Sequence, residues 1–141
     1  MIRNQVVIER NQASVFERIV EAHHREQWMD EIQSIHMEGP VKAGTRFTQN
    51  QIEGKRRTAY QGVIEKIEAP HYFSYKLNSN GFDMRIGYEL QGQGAATGVI
   101  QFYEVRYKSI FAKLIGTLFS GFTKKLAKRQ LDHLKQYCER S

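Results

Sequence analysis

Ser79-Asn80-Gly81-Phe82-Asp83-Met84-Arg85-Ile86-Gly87-Tyr88-Glu89-Leu90 is the stretch that decides the fold. Phe82, Met84, Ile86, Tyr88 and Leu90 alternate with Asp83, Arg85, Gly87 and Glu89. That alternation puts one face of a strand in a core and the other in water. Asn80-Gly81, just ahead of it, tolerates positive φ at both positions and marks a tight hairpin, so the preceding strand runs antiparallel to this one.

The same signals extend in both directions. Segments rich in β-branched and aromatic residues predict strands near Thr45–Ile52, Thr58–Ile67, Tyr72–Asn78, Phe82–Leu90 and Val99–Tyr107. Breaks fall at Glu53-Gly54-Lys55, Glu68-Ala69-Pro70, Ser79-Asn80-Gly81 and residues 91–98, where Gly92, Gly94 and Gly98 read as turn residues. Consecutive strands with short loops form an antiparallel meander. Ahead of them, Val6 and Ile8 mark an opening strand, and Asn11-Gln12-Ala13-Ser14 supplies turn and cap residues. Val15, Phe16, Ile19 and Val20 then recur at helical spacing. Residues 23–30 read as a second short helix or turn burying Trp28, and Ile32 and Ile35 lead to a break at Gly39-Pro40. After the meander, a helix is expected from Phe111 to Tyr137, about 40 Å long at 1.5 Å per residue. Its apolar side carries Phe111, Leu114, Ile115, Leu118, Phe119, Phe122, Leu126, Leu131, Leu134 and Cys138, and Gly116 and Gly121 interrupt it.

The length of 141 residues fits one domain, 1–141, with one core. With 40% hydrophobic and 26% charged residues the chain is unlike a disordered one. No apolar run approaches the roughly 20 residues of a membrane span, and the N-terminal residues lack the apolar stretch of a signal peptide. With Cys138 the only cysteine, no intrachain disulfide forms. A cytoplasmic protein, monomer or homodimer, is the expectation. The net charge of +6 is unevenly placed. Basic and acidic residues cancel up to Tyr107, so the whole excess sits from Lys108 onward, much of it in Lys124, Lys125, Lys128 and Arg129.

The order of elements is that of an α+β helix-grip fold, a curved antiparallel sheet wrapped around a long C-terminal helix with two short helices after the first strand. The Val15-Phe16 helix, Trp28, Gly39-Pro40-Val41 followed two residues on by Gly44-Thr45-Arg46-Phe47, Ala69-Pro70, and Leu131 with Leu134-Lys135 resemble the START-like SRPBCC superfamily, in its polyketide cyclase/dehydrase-type branch. The resemblance implies a cavity between sheet and helix. It also implies a choice of roles, since the superfamily includes carriers of apolar ligands, aromatic cyclases, hydroxylase components with metal centres, and chaperone activators.

On that fold the inward strand faces bring Phe47, Tyr60, Tyr75, Met84, Ile86 and Tyr88 toward Leu118 and Phe122 of the helix, with Trp28 nearby. Apolar walls with a few hydroxyls suit a small aromatic or lipid-like ligand. The competing reading is a solid core, and the strand face carrying Phe102 or Tyr103 stays open because Val99, Ile100 and Phe102 break strict alternation. For acid/base chemistry of the cyclase or dehydrase type the candidates are Arg46, Tyr60, Tyr75, Arg85 and Tyr88, with Arg85 expected to face solvent. No metal or cofactor is expected. His23, His24, His36, His71 and His133 include no pair at the i, i+4 spacing of a helical site, and HExxH, CxxC and the iron-sulfur ligands of the hydroxylase branch are absent. Adjacent His23 and His24 are expected on different sides and exposed. Cys138, at the frayed helix end, reads as a small core residue rather than a thiol nucleophile. No nucleic-acid motif accompanies the lysines, so nucleic acid is not an expected partner. The basic helix face is either solvated or a contact for an anionic membrane or a chaperone.

Overall fold

Cross-strand pairing of half-buried segments builds a single antiparallel sheet whose order is β1-β7-β6-β5-β4-β3-β2. The strands are β1 (Ile2–Ile8), β2 (Ile32–Met37), β3 (Arg46–Glu53), β4 (Arg56–Glu68), β5 (Tyr72–Asn78), β6 (Phe82–Gln93) and β7 (Ala96–Tyr107). Two short helices, α1 (Gln12–Val20) and α2 (Ala22–Trp28), follow β1, and α3 (Ser120–Arg140) ends the chain. The computed structural model describes residues 1–79, 81–110, 113–114 and 120–140, without the side chains of residues 53 and 120–123. Of the expected helix start, residues 111–112 and 115–119, Leu118 included, therefore lie outside the described part, as do the Phe122 side chain and Asn80.

Three expectations are corrected. A seventh strand, β2, occupies the edge where only a break was foreseen. Its register shifts between Ile32 and Ser34, so the two buried residues Ile32 and Ile35 stand three apart and do not alternate. The β6–β7 hairpin is much longer than expected: Gly92 and Gly98 pair within it, opposite Thr97 and Gln91, and only Gly94, at φ 70, serves the turn. Cys138 is not frayed; the helix continues to Arg140 and its thiol is fully buried.

Local chemistry explains the helices. The Asn11 side chain accepts from the Ser14 N–H at 2.9 Å and caps α1. Val15, Phe16, Ile19 and Val20 form its buried face. In α3, Ala127, Leu131, Leu134 and Cys138 face the core, while Lys124, Lys125, Lys128 and Arg129 are exposed. The sheet curves with the aid of a bulge between Ile64 and Lys66 in β4. The extra residue, Glu65, turns its carboxylate to the outer face, where it meets Arg85 at 2.5 Å and accepts from Ser74 at 2.9 Å. The expected outward position of Arg85 is thereby seen, with its guanidinium over Phe102 at 5.4 Å.

Candidate functional site

Register fixes which residues share the inner face. Ile64, Tyr75, Ile86, Tyr103 and Ile2 are successive partners across five strands. The next row runs Phe73, Tyr88, Gln101, Asn4. On the other side lie Met37, Phe47, Gly62, Leu77 and Met84, and beyond them Ile35, Gln49 and Tyr60. The face that Phe102 and Tyr103 take is thus settled: Tyr103 points inward and Phe102 outward, over Gly87.

Polar groups stand among these apolar neighbours. Gln101 Nε2 donates to the Tyr88 hydroxyl at 2.9 Å. The Tyr103 hydroxyl donates to Gln130 Oε1 of α3 at 2.5 Å and ties the helix to the sheet. Burial pushes the Tyr75, Tyr88 and Tyr103 hydroxyls above the usual phenol range, most strongly for the last two. They are neutral donors and acceptors at physiological pH. Asn4 Nδ2, Gln49 Oε1 and Gln101 Oε1 have no hydrogen-bond partner among the described residues. Asn4 and Gln101 are register partners, so an unused donor and an unused acceptor stand side by side.

Arg25 is the strongest feature of this interior. It is 0% exposed, and Nε, Nη1 and Nη2 all lack a hydrogen-bond partner among the described residues. Its guanidinium carbon stands over the rings of Tyr75 at 5.0 Å and of Phe47 and Phe73 at 5.6 Å each. The Tyr75 hydroxyl is near enough for the guanidinium to work against its rise in pKa, yet the pair misses hydrogen-bonding geometry. Glu31, just ahead of the β2 edge, is half-buried. Its Oε1 is buried without a partner. Burial raises its carboxyl above the ordinary range, and Asp30 pushes the same way. Like Arg25, it acts on Tyr75 and Tyr88.

The expected lining residues Phe47, Tyr60, Tyr75, Ile86 and Tyr88 are all buried on this face, and Met84 packs against it partly exposed. Trp28 is buried edge-on to Tyr88 at 6.4 Å, with its indole N–H donating to the Arg18 carbonyl at 2.9 Å. Of the acid/base candidates, Arg46 is exposed and Arg85 is on the outer face. Arg25, Glu31, Gln49 and Gln101 were not anticipated. A signal existed: Ala22, Arg25 and Trp28 fall three apart, so Arg25 occupies a slot on the one face α2 can bury. Gln49 and Gln101 are likewise in phase with Phe47 and Val99.

The histidines differ from expectation. The His23 and His24 rings lie together, 4.2 Å between centroids, and His24 Nδ1 is 2.6 Å from the Tyr137 hydroxyl. Burial lowers the His24 pKa, aided by His23 and Arg18. Among the described residues no three His, Cys, Asp or Glu side chains gather as a metal site. Burial pushes the Cys138 thiol up to about 11, which keeps it protonated and unreactive. The shallow depression along Gln5, Val7, Glu89 and Gln91 lies on the exposed side of the sheet, away from these groups. No helix among the described residues is long and apolar enough to cross a membrane.

Comparison with known proteins matches this architecture. No curated protein matches the chain. The solved structures it resembles include the Zhui aromatase/cyclase from Streptomyces sp. R1128, at TM-score 0.82 and 8% identity over 99% of this chain and 93% of that one. A START superfamily protein from Mycobacterium smegmatis aligns at TM-score 0.74 and 13% identity, over 98% and 93% of the two chains. A conserved protein from Geobacillus kaustophilus aligns at TM-score 0.77 and 13% identity, over 99% and 95%. The family model described as polyketide cyclase/dehydrase and lipid transport matches residues 2–139. With its helix-grip sheet and C-terminal helix, the chain belongs to that family and shares the fold of the START superfamily protein and the aromatase/cyclase.

Proposed function

We propose that this protein binds and carries a small hydrophobic molecule, aromatic or lipid-like, between the concave sheet face and the C-terminal helix. The observation that carries the reading is the set of fully buried, unpartnered polar groups on that face: the Arg25 guanidinium, Gln49 Oε1 and Gln101 Oε1. A solid core gains nothing from such groups, since each unmade hydrogen bond costs about 1–3 kcal/mol. An interior that receives a ligand uses them to orient it, while the aromatic walls supply affinity at roughly 25 cal/mol per Å² buried. Fluorescence titration with the neutral probe N-phenyl-1-naphthylamine, with native mass spectrometry of the purified protein, tests this. Saturable one-to-one binding weakened by Tyr75→Ala supports it; no probe uptake and no co-purifying apolar ligand would end it.

A second reading, an enzyme of cyclase or dehydrase type, is favoured by one observation. Glu31 is a half-buried carboxyl whose pKa burial raises, and its charge and that of Arg25 both act on Tyr75 and Tyr88, an arrangement suited to moving a proton. Base-catalysed cyclisation of a poly-β-ketone analogue, lost in Glu31→Gln with probe binding retained, would establish it. Equal rates with and without protein would remove it.

A further inference from the structure

We propose that the interior ligand carries a planar anionic oxygen group, a carboxylate or a delocalised enolate or phenolate, and that Arg25 is the residue that recognises it. This rests on the reading that the interior binds a small apolar molecule, and it specifies that molecule's polar end.

The inference starts from charge. An arginine side chain is a cation with five N–H donors in a flat fork, and it accepts nothing. Arg25 is 0% exposed, and no oxygen of a described residue completes a hydrogen bond to any of its three nitrogens. The three rings at 5.0–5.6 Å attract the cation through their faces. Ring faces offer no lone pair, and the nearby Tyr75 hydroxyl does not complete a hydrogen bond, so the directional donors are unused among the described residues. Among the described residues no carboxylate forms an ion pair with Arg25, and the buried Glu31 Oε1 reaches no partner. The interior therefore holds one fully buried cation, unpaired among the described residues, walled by aromatic rings.

What satisfies such a group is a planar anion whose two oxygens, or one oxygen and its delocalised neighbour, match the fork, joined to an apolar body that the walls cover. A phosphate is a poorer match: its second negative charge would need a further cation, and among the described residues Arg25 is the only fully buried one. The basic residues of α3 are not an alternative source of the preference, because Lys124, Lys125 and Lys128 are exposed and ionic strength screens them.

The test compares two isosteric probes, 2-naphthoate and 2-acetylnaphthalene, each displacing N-phenyl-1-naphthylamine from the intact protein. The carboxylate is expected to bind about tenfold tighter or more, and to keep that preference in 0.5 M NaCl (about a 4 Å screening length). In Arg25→Met the preference vanishes, the carboxylate binding no tighter than 2-acetylnaphthalene. Equal binding of both probes by the wild type overturns the inference and leaves the binding reading standing. A preference that survives Arg25→Met, or that salt abolishes, also overturns it. If neither probe nor the dye binds, both fail. Should Arg25→Met not fold, the Arg25 Nε–Hε resonance of the wild type decides. It must move downfield with 2-naphthoate, as a new charge-assisted hydrogen bond requires, and clearly further than with 2-acetylnaphthalene; an equal or smaller displacement sinks the proposal.

Discussion

Replacing Arg25 with methionine is expected to stabilise the protein. A buried, unpaired ion loses several kcal/mol of hydration after relaxation. A desolvated cation over an aromatic face recovers about 2 kcal/mol, and a flat guanidinium has two faces to share among Tyr75, Phe47 and Phe73. Recovery of about 3–4 kcal/mol leaves a deficit of about 1–3 kcal/mol. Methionine keeps the unbranched shape, fills most of the space and makes sulfur–aromatic contacts with the same rings. Arg25→Met should therefore gain about 1–3 kcal/mol, or a melting temperature higher by about 3–9 °C for a chain of this size. Urea unfolding followed by tryptophan fluorescence, with Trp28 as the single reporter, measures it: the midpoint rises and the slope stays constant. A loss of 2 kcal/mol or more would refute the reasoning, because Arg25 would then be a net structural tie. The gain expected here is the usual signature of a residue kept for function at the expense of stability.

Further predictions concern the surroundings. A Cβ on Gly62 would stand 2.3 Å from Phe47 Cζ, so Gly62→Ala should cost about 1–3 kcal/mol by overpacking. Phe47→Leu in the same chain should restore part of it in urea unfolding. Tyr103→Phe strands the buried Gln130 Oε1 and should cost about 1–3 kcal/mol; adding Gln130→Leu should recover most of it. The Glu31 carboxyl has its pKa raised above its ordinary 4.5. The folded state thus holds this proton more tightly, and its stabilising effect is full below 4.5 and fades as pH rises through the higher folded value. Glu31→Gln should remove that fall, seen as a flatter urea midpoint from pH 4.5 upward. Lys124, Lys125 and Lys128 form no ion pair with a described residue, whereas Arg129 is held by Asp30 at 3.3 Å. If this face meets anionic vesicles, changing the three lysines to Glu should abolish co-sedimentation; unchanged sedimentation removes the face from the account.

Much of the fold was legible because its strands obey simple alternation. Residues 82–90 read correctly since no bulge interrupts them and one face is wet. The α1 face and its Asn11 cap read correctly because both are local. What failed to read involved tertiary events. In β2 a register shift puts Ile32 and Ile35 three apart, which resembles a helix more than a strand. In the β6–β7 hairpin the pairing of Gly92 and Gly98 rests on partners across the turn, and their sequence alone looks like loop. The candidate site divides the same way. The aromatic lining was visible as the apolar half of each strand. Arg25 was not, because a lone arginine in a short helix normally reaches water. It is buried only because α2 packs against β2 and the long side chain reaches the inner sheet face, where Phe47, Phe73 and Tyr75 enclose it.

The central claim, that the concave face receives a small apolar molecule, is tested most directly by mapping bound 2-acetylnaphthalene with two-dimensional NMR of the labelled protein. The account predicts shifts in the side chains of Phe47, Tyr60, Tyr75, Tyr88, Gln101 and Tyr103, with Glu65, Ser74 and Arg85 on the outer face unchanged. Shifts confined to the outer face, or none at saturating probe, would contradict it.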